Sequence, residues 1–237
     1  MNKANSMNLK IMNLVFILVL VLLGANEAQS QNNSSQITLS NKPSAKEIGN
    51  LFYRVSTGEL DIFTVLPAVI AKKEKAVHAL EDLLSSPRDT IRKEYLLMAL
   101  DGISSKKAVE LIIKTALTER DVEVRGSAVR ILAMNQYGRA VDDTLGAKPD
   151  KEILHVLYAC ADDTAMAANS GGRIGEIARE GIKNWTGKEL GNLPLKSRMK
   201  KDGTQPQNAS VRHEKHWQKI TPKLKWDSDE KHFKVKE

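Results

Sequence analysis

Cysteine is nearly absent from the 237 residues: Cys160 stands alone, which excludes any intramolecular disulfide framework. Aromatic residues make up only 5% of the chain, so a core must be built mostly from Leu, Ile, Val and Ala. That composition suits helices better than a β-sandwich. The sequence also lacks a Gly-rich phosphate loop, a Ser nucleophile elbow and any sustained period-two alternation. What is present is ample: 41% hydrophobic and 27% charged residues exclude a wholly disordered chain, a collagen and a multi-span membrane protein. The length accommodates one or two compact domains, or one repeat array.

The formal net charge of +7 is unevenly placed. Residues 43–195 carry 21 basic and 22 acidic residues, whereas residues 196–237 carry 12 basic and 6 acidic. The body is neutral and the excess belongs to the C-terminal segment. A nucleic-acid binder is expected to place a basic stripe on its folded surface, so nucleic acid is not the expected partner. The basic tail remains a candidate contact to an acidic one.

At the N-terminus, Lys3 and Lys10 precede an apolar run from Leu14 to Leu23, followed by Gly24, Ala25 and a polar stretch. These are the parts of a secretory signal peptide, expected over residues 1–30 with cleavage after Ala25 or, preferably, Ser30. A retained anchor is the competing reading, but it needs roughly 20 apolar residues and Asn13 and Asn26 bracket the run too tightly. The expected location is therefore secreted or periplasmic, with no stable membrane span after signal removal. Residues 31–42 read as a flexible polar leader. Asn32, Asn33, Asn184 and Asn208 lie in Asn-x-Ser/Thr sequons, relevant only to secretion from a eukaryotic cell.

From Ser44 onward the apolar spacing is helical. Ser44 and Glu47 form a capping box, Ile48, Leu51, Phe52 and Val55 share one face, and Gly58 ends the helix. The stretch Leu60–Ala71 follows with Pro67 expected to kink or interrupt it. Lys75-Ala76-Val77 then recurs as Lys107-Ala108-Val109 and as Arg139-Ala140-Val141, each 32 residues on. A second signature follows each copy: Asp89-Thr90-Ile91-Arg92, then Asp121-Val122-Glu123-Val124-Arg125, then Asp150-Lys151-Glu152-Ile153. A last copy runs from Arg173 to Trp185.

Helix pairs whose second member reads Asp-x-x-Val-Arg-x-x-Ala-x-x-x-Leu resemble HEAT repeats of the short, phycobilisome-lyase type. Asp121, Val124, Arg125, Ala128 and Leu132 carry the resemblance most fully, and it spans roughly residues 60–190. It implies an all-α fold, a short α-α superhelix in which the turn Asp caps the second helix and Arg92 and Arg125 form a structural ladder. The segment from Thr186-Gly187 through Trp217 to Leu224-x-Trp226-Asp227 is similar to the closing segment after such arrays in some secreted bacterial proteins. Trp217, Trp226 and Phe233 are accordingly expected to fold back as a cap, because open array ends need covering. The alternative is an aromatic and basic strip for nucleic acid or glycan.

The expected organisation is a repeat domain over 43–191, a mobile basic linker over 192–211 and a capping segment over 212–237. Chemistry is sparse. His213-Glu214-Lys215-His216 is one residue short of the zinc-hydrolase spacing, and the adjacent pairs Asp142-Asp143 and Asp162-Asp163 project apart and read as solvated turns or caps. Cys160 reads as an inert core residue. Gly171-Gly172 reads as a turn, with anion binding at a helix start as the alternative. No catalytic, cofactor-binding or metal-ligating residue is expected. The leading expectation is a non-catalytic protein-interaction scaffold for an unidentified protein partner, with Lys93, Glu94, Arg130 and His155 as contact candidates by helical phase. The alternatives are a binder of an anionic surface through 196–237 and, on fold analogy alone, an enzyme.

Overall fold

A computed structural model of the protein describes residues 37–86, 91–134, 151–187, 217–230 and 232–235. The expected signal peptide, the first half of the leader, Asp89-Thr90, the third repeat copy at Arg139, Asp142-Asp143, the linker and His213–His216 lie outside the described residues.

The fold is mostly helical. In chain order the long elements are α1 (Ala45–Ser56), α2 (Ile62–Ile70), α3 (Glu74–Ser85), α4 (Lys93–Ile103), α5 (Lys106–Thr118), α6 (Val122–Ala133), α7 (Glu152–Cys160) and α8 (Ile174–Thr186). A β-hairpin of β1 (Met166–Ala167) and β2 (Gly172–Arg173) lies between α7 and α8, and a second hairpin, β3 (Leu224–Asp227) with β4 (His232–Val235), closes the described chain.

Local chemistry explains the helix boundaries. Ser44 caps α1 by accepting from the Glu47 N–H at 3.2 Å, while the Glu47 carboxylate accepts from the Ser44 N–H at 2.8 Å. Those bonds, with others from Ser40, hold the Glu47 carboxyl well below the usual range, at about 2. Asp61, Ser105 and Asp121 cap α2, α5 and α6 through their side chains. Helix α2 runs through Pro67 without interruption.

Packing follows two rows. Helices α1, α3, α5 and α7 contact one another in succession, as do α2, α4, α6 and α8, and each helix also packs on its sequence neighbour in the other row. The matching Ala-Val pairs mark equivalent positions: Ala76 and Val77 near the start of α3, Ala108 and Val109 near the start of α5, all buried. Those two helices begin 32 residues apart, at Glu74 and Lys106. Helix α5 buries residues on most of its circumference because row neighbours flank it and α4 and α6 lie beneath it.

Residues 37–42 pack on this body. Leu39 is buried, its carbonyl accepts from Lys72 Nζ at 2.9 Å, and Asn41 Oδ1 accepts from Lys75 Nζ at 2.6 Å. Among the described residues no helix is long and apolar enough to cross a membrane.

Candidate functional site

The side chains singled out by the 32-residue recurrence serve mainly to join one helix pair to the next. Asp121 accepts from the N–H groups of Glu123 and Val124 at 2.8 and 3.2 Å and so caps α6. Arg125, one turn into that helix, turns away from Asp121. Its Nη1 donates to the Glu119 carbonyl at 2.9 Å, and its Nε to Asp163 Oδ2 at 3.0 Å, beyond the end of α7. Asp163 is thus one partner of a half-buried ion pair, not a solvated turn residue. Arg92 departs from the ladder: it lies over the Tyr95 ring, 5.9 Å from the centroid. Lys93 on α4 instead forms an ion pair with Glu119, just after α5, 3.0 Å apart.

A polar stripe on α6 was missed by sequence reasoning. Glu123, Ser127 and Arg130 fall at i, i+4 and i+7, one face of the helix. Glu123 accepts from the N–H groups of Ala168 and Asn169 at 2.8 and 2.9 Å, Ser127 Oγ lies 3.2 Å from Ser170 Oγ, and Arg130 donates to the Ser170 carbonyl. The stripe clamps the β1–β2 hairpin onto α6, with Ala167 and Ser170 buried beneath it. Gly171 and Gly172 serve the turn of that hairpin at positive φ. The first N–H groups of α8 are already engaged, Ile174 with the Ala165 carbonyl at 3.0 Å and Gly175 with the Asp163 carbonyl at 2.8 Å.

The C-terminal aromatics are consumed in the interior. Trp217 stacks on His155 with centroids 4.9 Å apart and planes within 8°, and it tilts against Tyr158. Trp226 and Phe233 gather on Trp185 of α8, at 6.3 and 6.1 Å. Trp185 is itself anchored by its Nε1–H, which donates to the Leu132 carbonyl at 2.6 Å. Lys151 Nζ donates to the Thr221 carbonyl at 2.8 Å, tying the start of α7 to the same segment. Of the contact candidates, Lys93, Arg130 and His155 therefore hold the fold together, while Glu94 stays half-buried on α4.

Exposed apolar side chains remain at Tyr53, Phe63, Met98, Leu117 and Met166. A groove of about 740 Å³ runs along α1, lined by Gly49, Asn50 and Tyr53 on one side and Leu83, Ser86 and Ile91 on the other.

Between the rows lies a narrower crevice bordered by Asp101, Val109, Ile112, Ile131, Leu132, Ile153 and Trp185. Among the described residues of that lining Asp101 is the one titratable group, and burial pushes its carboxyl up from 3.8 to about 6. Among the described residues no charge or hydrogen bond opposes that shift. Sequence could not single out this residue, because nothing in a lone Asp in the last turn of a helix signals desolvation.

The Cys160 thiol is buried and pushed up to about 12, first by burial and then by the Asp163 charge, which disfavours the thiolate. Among the described residues no group of His, Cys, Asp and Glu side chains is arranged to hold a metal ion. No protein-family model, curated protein or solved structure matches the chain.

Proposed function

We propose that the protein is a secreted or periplasmic HEAT-like α-solenoid that acts as a non-catalytic scaffold for a protein partner. The observation that carries this reading is the succession of two helix rows in which α3 and α5 repeat at 32 residues, with ladder contacts passing from one repeat to the next. A helix pair of this kind buries its apolar face only against its neighbours, and stacked pairs present an extended surface suited to a protein ligand. The closing segment fits the role of a cap, since its aromatics cover the last helices. Exposed Met98 on α4 and Met166 on the clamped hairpin are flexible apolar side chains among those the described residues offer a partner.

The test is cross-linked affinity capture from the secreted fraction with the full chain and with its Met98→Glu and Met166→Glu variants. One partner captured by the parent chain and lost from both folded variants is the expected result. Capture that is indifferent to both substitutions counts against this surface.

The second reading, an anionic-surface binder working through residues 196–237, draws on the 12 basic residues there and on exposed Lys219, Lys223 and Lys225. The burial of Trp217, Trp226 and Phe233 speaks against a stacking strip for bases or sugars. If this reading holds, retention on an anionic matrix falls steeply with salt and disappears on removal of the segment.

A further inference from the structure

We propose that the outer face of α2 is a self-association surface, on which a second copy of this chain docks its own α2 in antiparallel orientation about a two-fold axis. The inference goes beyond the scaffold reading and does not depend on it.

Helices α4, α6 and α8 each pack on the member of their row before them, whereas α2 opens the row and packs on α1 and α4. Its buried side is Val65, Leu66 and Val69. At about 100° per residue, Phe63, Thr64, Pro67 and Ala71 share the opposite side, and all four are exposed. Phe63 is 64% exposed, the highest value of any large apolar side chain among the described residues. Outer faces elsewhere carry charge: Lys75 and Asp82 on α3, Lys107, Glu110 and Lys114 on α5. Helix α2 has none between Asp61 and Lys72. A projecting phenyl ring on an uncharged helix face suits a protein contact better than water.

Three features select a second copy as the occupant. Opposite charges bracket the face: Asp61 is the N-cap and Lys73 lies just past the C-cap Ala71, both exposed. Among the described residues neither enters an ion pair, while the Lys72 ammonium is taken by the Leu39 carbonyl. Pro67 is six residues from each of them, so an antiparallel pair centred on Pro67 sets Asp61 of one copy beside Lys73 of the other, twice. The same register places the large Phe63 ring over the small Ala71 of the second copy, again at both ends. It also opposes the two helix dipoles, N-terminus against C-terminus. A helix of 9 residues offers a small contact, so the dimer is weak and forms only at high concentration.

The experiment follows sedimentation of the full mature chain from about 10 µM to about 1 mM, the range in which so small an interface associates. A reversible monomer–dimer equilibrium is expected, weakened at least about tenfold in Phe63→Glu. Asp61→Lys and Lys73→Glu are each expected to stay monomeric, because like charges then meet at both ends. Mixed together they are expected to associate, because the mixed pair restores opposite charges at both ends. In Pro67→Cys, mild oxidation is expected to join two copies across the axis much faster than in Lys114→Cys on the outer face of α5, the buried Cys160 being common to both. A parent chain that stays monomeric, dimers unchanged in Phe63→Glu, no recovery on mixing the folded charge variants, or equal cross-linking of Pro67→Cys and Lys114→Cys overturns the proposal. So does a monomeric chain whose capture of another protein is lost in Phe63→Glu, which gives the face to that protein. The parent chain and Pro67→Cys decide the outcome even if a charge variant does not fold.

Discussion

Arg125 and Asp163 meet across 38 residues of sequence, guanidinium Nε to carboxylate Oδ2 at 3.0 Å, with about a fifth of the arginine side chain and a quarter of the aspartate exposed. The pair joins the start of α6 to the loop that follows α7. Asp163 also accepts from the Ala165 N–H at 2.9 Å, so one carboxylate fixes both the contact to α6 and the entry to the hairpin.

Removing one member leaves the other half-buried without its counter-charge. Arg125→Ala is expected to lower unfolding stability by roughly 2–4 kcal/mol, because the Glu119 carbonyl also loses its donor. Urea denaturation at pH 7 measures this; a loss under about 0.5 kcal/mol means the pair is no more than a surface contact.

Asp101 gives the stability a pH dependence of opposite sign to that of a salt-bridged acid. Its carboxyl titrates near 6 in the folded chain against 3.8 ordinarily, so the folded state holds the proton more tightly. The contribution is fully present below about pH 4 and is lost as pH rises through about 6. Asp101→Asn is expected to stabilise the protein at pH 7.5, by up to about 3 kcal/mol, and to have little effect at pH 4. Thermal melts of both chains across that range check the prediction, and parallel curves would refute it.

Gly187 ends α8 at φ +66°, and a Cβ there would stand 2.7 Å from the His232 ring. Gly187→Ala therefore suffers both backbone strain and a clash with β4, and is expected to cost about 1–3 kcal/mol. Phe233→Ala is expected to cost about 3–5 kcal/mol, since the ring is fully buried against Trp185 and Trp226. Calorimetry on both variants tests whether the closing hairpin belongs to the cooperative unit; a separate low-temperature transition would show that it does not.

The hairpin clamp is testable locally. Glu123→Gln weakens the anchoring of the Ala168 and Asn169 N–H groups and is expected to speed their amide exchange several-fold. Exchange in α4 is expected to stay unchanged. Uniform acceleration along the chain would mean that Glu123 stabilises the whole molecule and not the hairpin.

Helix phase and caps were legible in the sequence. Ser44 with Glu47, Asp121, Gly58 and Gly187 act locally, within a turn of the chain, and the Ala-Val pairs announce buried positions by their recurrence. The two hairpins were not legible. Leu224 and Trp226 are buried while Lys225 is exposed and Asp227 half-buried, but a four-residue alternation is too short to separate from chance, and its partner strand supplies the rest of the pattern.

Sequence by itself determined the neutral helical body, the basic C-terminal segment and the residues that begin and end helices, because composition and caps depend on neighbours along the chain. Tertiary structure alone decided what the polar residues do. It sent Arg125 to Asp163, turned Arg130 and His155 from contact candidates into supports, and left Asp101 desolvated without a counter-charge among the described residues. Those outcomes depend on distances across 38 or more residues and on which carboxylate loses its water, and neither is written in helical phase.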